Sequence, residues 1–360
     1  MNTSKMYYKI FDCCKVVEGP TRCIIYDLQR KKYYSVSKYL NTFLEKIGIH
    51  EVNSTAYNNT DQELINYLLS KEILFVMDEC LINQFPASDE TWLYPAHITN
   101  AIITLSKPFC FNLEFLLTQL DEIICRDIVF IFDGYLPSIK YLDEIYKSFE
   151  GSLVKTSDLF IPYSTEEVLE AYKGLTDKYN RISSIFIYGA PDNLAYKSSV
   201  VEPGNIFLQK SALLNTNEIP NITPDHFSLN GDLYRESLMY NTFFNRKIFL
   251  DQMGNVFNAP NSLNSYGNLS AEPILKIIDK VDFQKYWPLK KGIIDVCREC
   301  EFRYMCVDSR IPVQRKNGEW FHSYECNYNP YIAKWKGDDD YKTLQESGVV
   351  CNNDEFKKTK

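Results

Sequence analysis

Four cysteines near the end of the chain, Cys297, Cys300, Cys306 and Cys326, stand in a C-x2-C-x5-C-x19-C spacing. A C-x2-C pair lets one turn present two thiolates to a single cation. Two further thiolates close a tetrahedron around zinc or complete the ligand set of a four-cysteine iron–sulfur cluster. Any fold of this region must then bring four separated points of backbone together. A redox C-x-x-C of thioredoxin type fits less well, because it opens a helix after a strand and leaves Cys306 and Cys326 unexplained. The other seven of the eleven cysteines (Cys13, Cys14, Cys23, Cys80, Cys110, Cys125 and Cys351) lie outside any ligand spacing. Cys110 and Cys125 are expected to be small buried side chains.

Metal rather than disulfide follows from the expected compartment. MNTSKMYYKIFDCCK lacks the basic stretch, apolar core and small-residue cleavage site of a signal peptide. No run approaches the ~18 apolar residues that a membrane helix needs. A cytoplasmic protein with reduced thiols and no membrane is the expectation. The formal net charge of −8 argues against a nucleic-acid partner. A four-thiolate centre is negative, so cations should lie near it. Arg298, Arg303 and Arg310 are candidates, with Arg298 expected to be merely solvated. His322 is a further candidate ligand, although a histidine there is more commonly structural. The chain has no G-x4-GK[ST] phosphate loop, and its four histidines suggest no Ser–His–Asp or Cys–His arrangement.

The 360 residues have room for two or three domains. YYKIFDCC, TRCIIYDL and KYYSV read as strands, with a turn at Gly19–Pro20. Helical spacing follows at Tyr39, Leu40, Phe43, Leu44 and Ile47, and again over Asp61–Ser70, before the strand ILFVMD. Residues 1–80 thus read as a winged-helix-like module, and 81–95 as a linker. From His97 strands and helices alternate: HITNAIITL, Asn112–Ile124, DIVFIFD, Ser138–Phe149, LFIPY, Thr165–Tyr179 and RISSIFIYG. This predicts an α/β region with a parallel sheet, open or partly closed as a barrel. Active sites on such folds sit at the carboxyl ends of the strands, where Asp133–Gly134 and Tyr188–Gly189 are weak candidates. RKIFLDQMGNVFN reads as a hairpin, and the segment from Gly337 as a polar, poorly ordered tail.

The texts NRKIFLDQMGNVFN, SYGNL, VCRECEFRYMC and CNYNPY together resemble the SPASM domain. More narrowly, they resemble the SPASM-domain peptide maturases of grasp-with-spasm systems, which accompany an ATP-grasp ligase acting on ribosomally made peptides. FDCCKVVEGPTRCIIYDLQRKKYYSV resembles the same family, so the likeness spans about residues 6–336. It implies an N-terminal precursor-recognition element (1–80), a radical-SAM-like βα barrel (81–245), a SPASM domain (246–336) and a polar tail (337–360). It favours a [4Fe–4S] cluster over zinc at Cys297, Cys300, Cys306 and Cys326.

The departures carry as much weight. A full SPASM domain holds two clusters, and the positions that would build the first are Phe243, Ala259 and Ser309 here. Radical SAM enzymes bind their catalytic cluster through C-x3-C-x2-C after the first barrel strand. SKPFCFN follows that strand here with Cys110 alone, and the motif occurs nowhere in the chain. The barrel is therefore expected to be degenerate, with no SAM cluster. The resemblance also implies that a leader peptide adds as a strand along Lys32, Tyr33, Tyr34, Ser35 and Val36, with Leu64, Tyr67 and Leu68 of the second helix as the other wall. Against this, Tyr33 and Tyr34 would simply alternate in and out of a small core. Three readings follow: a non-catalytic maturation partner that binds the leader and assists the ligase, a maturase still active at its remaining cluster, and a zinc-ribbon adaptor.

Overall fold

A computed structural model describes residues 5–85, 87–196, 205–210, 222–260, 262 and 264–358. The chain divides into two compact units. One comprises Met1–Trp92, Asn221–Thr242 and Leu289–Lys360, the other Leu93–Pro220 and Phe243–Pro288.

The first unit opens with β1 (Met6–Ile10), β2 (Cys14–Glu18), β3 (Arg22–Asp27), β4 (Lys32–Ser37), α1 (Tyr39–Leu44), α2 (Asn59–Ser70) and β5 (Leu74–Asp78). β1 and β5 form an antiparallel ribbon, and β2–β3–β4 an antiparallel sheet with β3 central. β3 is a near-continuous apolar run because both its faces are covered. Cys23 and Ile25 join Leu40, Phe43, Ile65 and Leu68 in a core under the helices. Ile24 and Tyr26 join Phe302, Met305 and Tyr328 in a second core against the cysteine segment. α2 starts on a capping box: the Asn58 side chain accepts from the Asp61 N–H, and Asp61 accepts from the Asn58 N–H.

The second unit is built on β6 (Asn100–Leu105), α3 (Leu113–Glu122), β7 (Asp127–Phe132), α4 (Ile139–Ser148), β8 (Thr156–Pro162), α5 (Glu166–Lys178), β9 (Ile182–Tyr188), β10 (Leu194–Tyr196), β11 (Asn205–Gln209), β12 (Lys247–Asp251), β13 (Asn255–Phe257) and β14 (Gly267–Asn268). The strand order is β10-β11-β9-β8-β7-β6-β12-β13-β14, with parallel pairing from β11 through to β12. Among the described residues the sheet is open. One face is fully buried through Ala101, Ile103, Ile128, Phe130, Leu159 and Ile185, in a core shared with Leu116, Leu120, Leu142 and Ile145 of the helices. The hairpin grouped by sequence with the cysteine segment belongs to this unit instead: β12 pairs in parallel with β6, Ile248 opposite Ala101. Its strand is apolar on successive residues, as a strand inside a parallel sheet requires.

The rest of the first unit carries α6 (Gly231–Met239) and three short hairpins: β15 (Pro312–Gln314) with β16 (Trp320–His322), β17 (Tyr328–Asn329) with β18 (Lys334–Trp335), and β19 (Val349–Cys351) with β20 (Phe356–Lys358). The last hairpin corrects the expectation of a poorly ordered tail. Arg315 Nε donates to the Asn352 carbonyl at 2.6 Å, and the Arg298 guanidinium lies 4.9 Å from the Phe356 ring centre, so side chains elsewhere hold the segment.

Candidate metal centre

Local backbone presents the first two thiols. Cys297–Glu299 form a single 3-10 turn, and the Cys300 N–H donates to the Cys297 carbonyl at 3.0 Å. Val296, just before it, has φ +67°, which a β-branched residue rarely adopts. Strain of this kind costs on the order of 1–3 kcal/mol and persists only where the surroundings impose it. The 3-10 turn that starts after it carries Cys297 and Cys300, both of which line the cavity described next. Cys306 follows Met305, which is anchored in the core with Phe302. Cys326 precedes Tyr328, whose ring packs 4.9 Å from that of Phe302.

All four cysteines line one cavity of about 30 Å³, together with Lys291, Asp308, Arg310 and a rim of Phe227, Phe302 and Trp335. None is in a disulfide. Burial pushes the Cys300 thiol well above its usual range, with Glu301 and the neighbouring sulfurs adding to the effect. Burial also raises Cys306, against Lys291, and Cys326, against Arg310. Such thiols keep their protons until a cation displaces them, so loading a metal releases protons.

The charged groups beside the sulfurs were only partly visible in the sequence. Lys291 is 4%, Asp308 1% and Arg310 5% exposed. Lys291 Nζ pairs with Asp308 Oδ2. Arg310 Nη2 donates to Asp308 Oδ2 at 2.7 Å, its backbone N–H to Oδ1 at 2.9 Å, and its Nη1 to the Tyr324 carbonyl at 2.7 Å. Arg310 Nη2 also lies 3.9 Å from Cys297 Sγ. Burial would raise the Asp308 carboxyl, but Arg310 and Lys291 hold it well below the usual carboxylate range. His322 is buried, its Nε2 3.3 Å from Lys291 Nζ and 3.5 Å from Asp308 Oδ2. Burial and the two cations push it well below its ordinary value, so it is neutral at pH 7. Ligand atoms of Cys297, Asp308 and His322 lie within 4.8 Å of one another.

Of the three arginines, Arg310 is buried in this set. Arg303 spans the Glu18 and Cys300 carbonyls, both at 2.8 Å. Arg298, expected to be merely solvated, pairs with buried Asp295 at 2.8 Å, and Asp295 also binds Arg315. The sequence held no signal for Lys291, Asp308 or Asp295, since a buried charge looks like a solvated one until its partner is known.

The residues present fit a metal. Four free cysteines line one cavity, cations lie alongside, and Asp308, the carboxylate in the cavity lining, is taken up by Lys291 and Arg310. Cys297, Cys300, Cys306 and Cys326 would hold the group, as zinc or as a [4Fe–4S] cluster. A set of four thiolates leaves no open position, which suits a structural clip or an electron-transfer centre.

The cysteine segment and the N-terminal sheet are joined through Glu301, which has no exposed surface. Arg22 Nε donates to Glu301 Oε1 at 2.8 Å, the Tyr26 hydroxyl donates to its carbonyl at 2.5 Å, and the Tyr328 hydroxyl binds its carboxylate. A Cβ on Gly19 would sit 2.5 Å from Glu301 Oε2 and 2.9 Å from its Cβ. The Gly-Pro turn read from sequence is therefore also a point of close approach.

The residues proposed for leader binding fall into two groups. β4 pairs with β3 alone among the described residues, and Lys32, Tyr33 and Ser35 are exposed. Tyr33 leans toward Phe302, ring centres 5.9 Å apart, whereas Tyr34 and Val36 pack toward the helices. One face of β4 is therefore packed on the helical core, while Lys32, Tyr33 and Ser35 leave its other face and its outer edge accessible. On α2, Tyr67 is exposed, but Leu68 is fully buried and Leu64 packs on the same core. Leu68 is corrected from contact residue to core residue, because the apolar stripe of the helix faces the sheet.

The loop after β6, where the resemblance implied the place of a radical SAM cluster, carries aromatic packing. Phe109 stacks edge-on against Phe111 at 5.0 Å and against Phe130 at 6.1 Å. Cys110 is exposed, against the expectation of burial, while Cys125 is buried as expected. Gly134 and Gly189 have φ of +61° and +71°, as turns require, and the Tyr188 hydroxyl donates to the Phe132 carbonyl at 2.6 Å. These strand ends are tied together structurally. Of the three residues that the resemblance sets at a first auxiliary site, Phe243 stacks on Phe249 at 6.1 Å and Ala259 is fully buried; Ser309 is half-buried.

No protein-family model matches the chain, and no curated protein matches it. Among solved structures it is similar to Streptococcus suis SuiB bound to S-adenosylmethionine, at 10% identity and a TM-score of 0.31, covering 83% of this chain and 94% of that one. It is similar also to SuiB bound to the precursor peptide SuiA, at 9% identity and a TM-score of 0.25, with the same coverage. Similarity at this level assigns neither fold nor activity to this chain.

Among the described residues, no helix is long and apolar enough to cross a membrane.

Proposed function

We propose that this chain is a maturation partner in the modification of a ribosomally made peptide. It binds the precursor's leader as an added strand on β4 and holds the core peptide for an ATP-grasp ligase. Cys297, Cys300, Cys306 and Cys326 hold one metal centre that clips the cysteine segment beneath the sheet. The chain runs no radical SAM chemistry of its own.

The observation that carries this reading is the β2–β3–β4 sheet. Its central strand β3 is buried on both faces, one of them against the cysteine segment, and among the described residues β4 pairs with β3 alone and leaves its outer edge unpaired. An edge strand offers a row of backbone donors and acceptors, so a peptide can bind there with little demand on side chains. The SPASM-like text and the missing C-x3-C-x2-C supply the pathway and the lack of radical chemistry.

The test is titration of the anaerobically purified full chain against a fluorescent precursor peptide. Binding should saturate and be lost when proline replaces Ser35, since proline removes a backbone donor. Iron and sulfide analysis of the same sample distinguishes a cluster from zinc. Incubation with S-adenosylmethionine and dithionite should yield no 5′-deoxyadenosine above background. Its appearance would overturn the non-catalytic reading.

A further inference from the structure

Resting on the four-thiolate centre proposed above, we infer that Lys291, Arg310 and Asp308 form a built counter-charge for that centre, in which Asp308 positions the two cations and is not itself a ligand. All three line the cavity that holds the four sulfurs, and all are at least nine-tenths buried. Two cations and one carboxylate leave one net positive charge. Four thiolates around a divalent ion carry about two negative charges. A lone buried cation would be costly, and Asp308 makes the pair tolerable while leaving the excess charge facing sulfur.

Asp308 lies close enough to Cys297 and His322 to look like a ligand. Its lone pairs are already engaged. Oδ1 accepts from the Arg310 backbone N–H at 2.9 Å and from Nε at 3.0 Å. Oδ2 accepts from Arg310 Nη2 at 2.7 Å and from Lys291 Nζ. A carboxylate offers about four acceptor positions, and these contacts use them. Arg310 reaches on toward Cys297 Sγ at 3.9 Å, so the guanidinium bridges the carboxylate and the sulfur site.

The inference orders three variants by charge. Lys291→Met removes the net positive charge. Asp308→Asn doubles it. Lys291→Met with Asp308→Asn restores it. Cobalt(II) is titrated into the reduced full chain at one fixed pH, read by thiolate-to-cobalt charge-transfer absorption, with zinc competition. Far-UV circular dichroism is recorded on every sample. Lys291→Met should weaken cobalt binding about tenfold or more, as expected for one unit charge a few ångström away at an effective dielectric of about 20. Asp308→Asn should bind at least as tightly as the unsubstituted chain, and the double variant should fall within about threefold of it.

Loss of cobalt in folded Asp308→Asn would make Asp308 a ligand and overturn the inference. A double variant as weak as Lys291→Met would reduce the three residues to packing and overturn it too. If Asp308→Asn does not fold, the double variant decides by the same threshold. If the unsubstituted chain gives no thiolate–cobalt band, the four-thiolate reading itself fails, which separates the two failures.

Discussion

The cysteine segment and the carboxyl end of the parallel sheet are both places where a protein of this architecture can do chemistry, and they have gone opposite ways. Around the four thiols, charge is buried. Lys291, Asp308, Arg310, Asp295, Arg315 and Glu301 are all at most 5% exposed. Buried ions are expensive and persist where partners or a ligand compensate them. At the sheet's carboxyl end, Phe109, Phe111, Phe130 and Tyr188 occupy the loops and strand ends with ring packing and backbone hydrogen bonds. Aromatic packing stabilises without creating a reactive group. The difference separates a cavity lined by four free cysteines and buried charges in one unit from apolar, hydrogen-bonded strand ends in the other.

The comparison breaks most readily at the thiols. Cys300→Ala should lower metal affinity by at least about a hundredfold, because a missing ligand opens a closed tetrahedron and metal binding is folding energy for such loop-rich segments. Metal analysis after dialysis checks this. Limited proteolysis should also cut faster among residues 289–358 than in the unsubstituted chain. An unchanged digest would remove the structural role from the centre.

A smaller effect is expected at the turn that meets the cysteine segment. Gly19→Ala drives a methyl group into Glu301, which Arg22 and Tyr328 hold in place. Chemical denaturation should show a loss of about 1–3 kcal/mol, the usual cost of overpacking. No loss would mean that the N-terminal sheet and cysteine segment are less closely joined than this contact requires.

The helical side of the N-terminal module sharpens the contrast through pH, without any thiol. Burial would raise the Asp61 carboxyl, but donation from Lys46 at 2.6 Å, the Asn58 N–H at 2.8 Å and the Tyr39 hydroxyl at 3.0 Å holds it below its ordinary range. Its contribution to stability is present above the unfolded value near ~3.9 and is lost as pH falls through the lower folded value. Asp61→Asn should therefore flatten the acid limb of the stability curve below about pH 4. Asn58→Ala, which removes the cap, should cost about 1 kcal/mol at neutral pH. A pH profile unchanged by Asp61→Asn would contradict the assignment.

The smallest effect belongs to the sheet's mouth. Cys110→Ser, at an exposed position, should change stability by less than about 0.5 kcal/mol and leave metal content as it was. A drop in bound iron would return a metal role to that loop.

Much of the framework was legible along the chain. The second helix was expected over Asp61–Ser70 and runs Asn59–Ser70. The alternation from His97 onward appears as the parallel sheet, and the Gln252–Gly254 turn joins β12 to β13. These features are local: apolar period, caps and turn residues act within a few positions of one another. Leu68 was misread as accessible because periodicity marks a helix's apolar stripe without saying what covers it.

By itself the amino-acid order determined that four cysteines stand in a ligand-like spacing, that strands and helices alternate through the middle of the chain, and that the three-cysteine radical SAM motif is missing. The tertiary structure alone decided that β12 joins the parallel sheet, that β3 is buried on both its faces, and that Lys291, Asp308 and Arg310 are buried beside the sulfurs. Each of those depends on contacts between residues distant in the chain. The energy of a buried charge or a shared sheet edge is set by the partner it meets, and no local pattern encodes that partner.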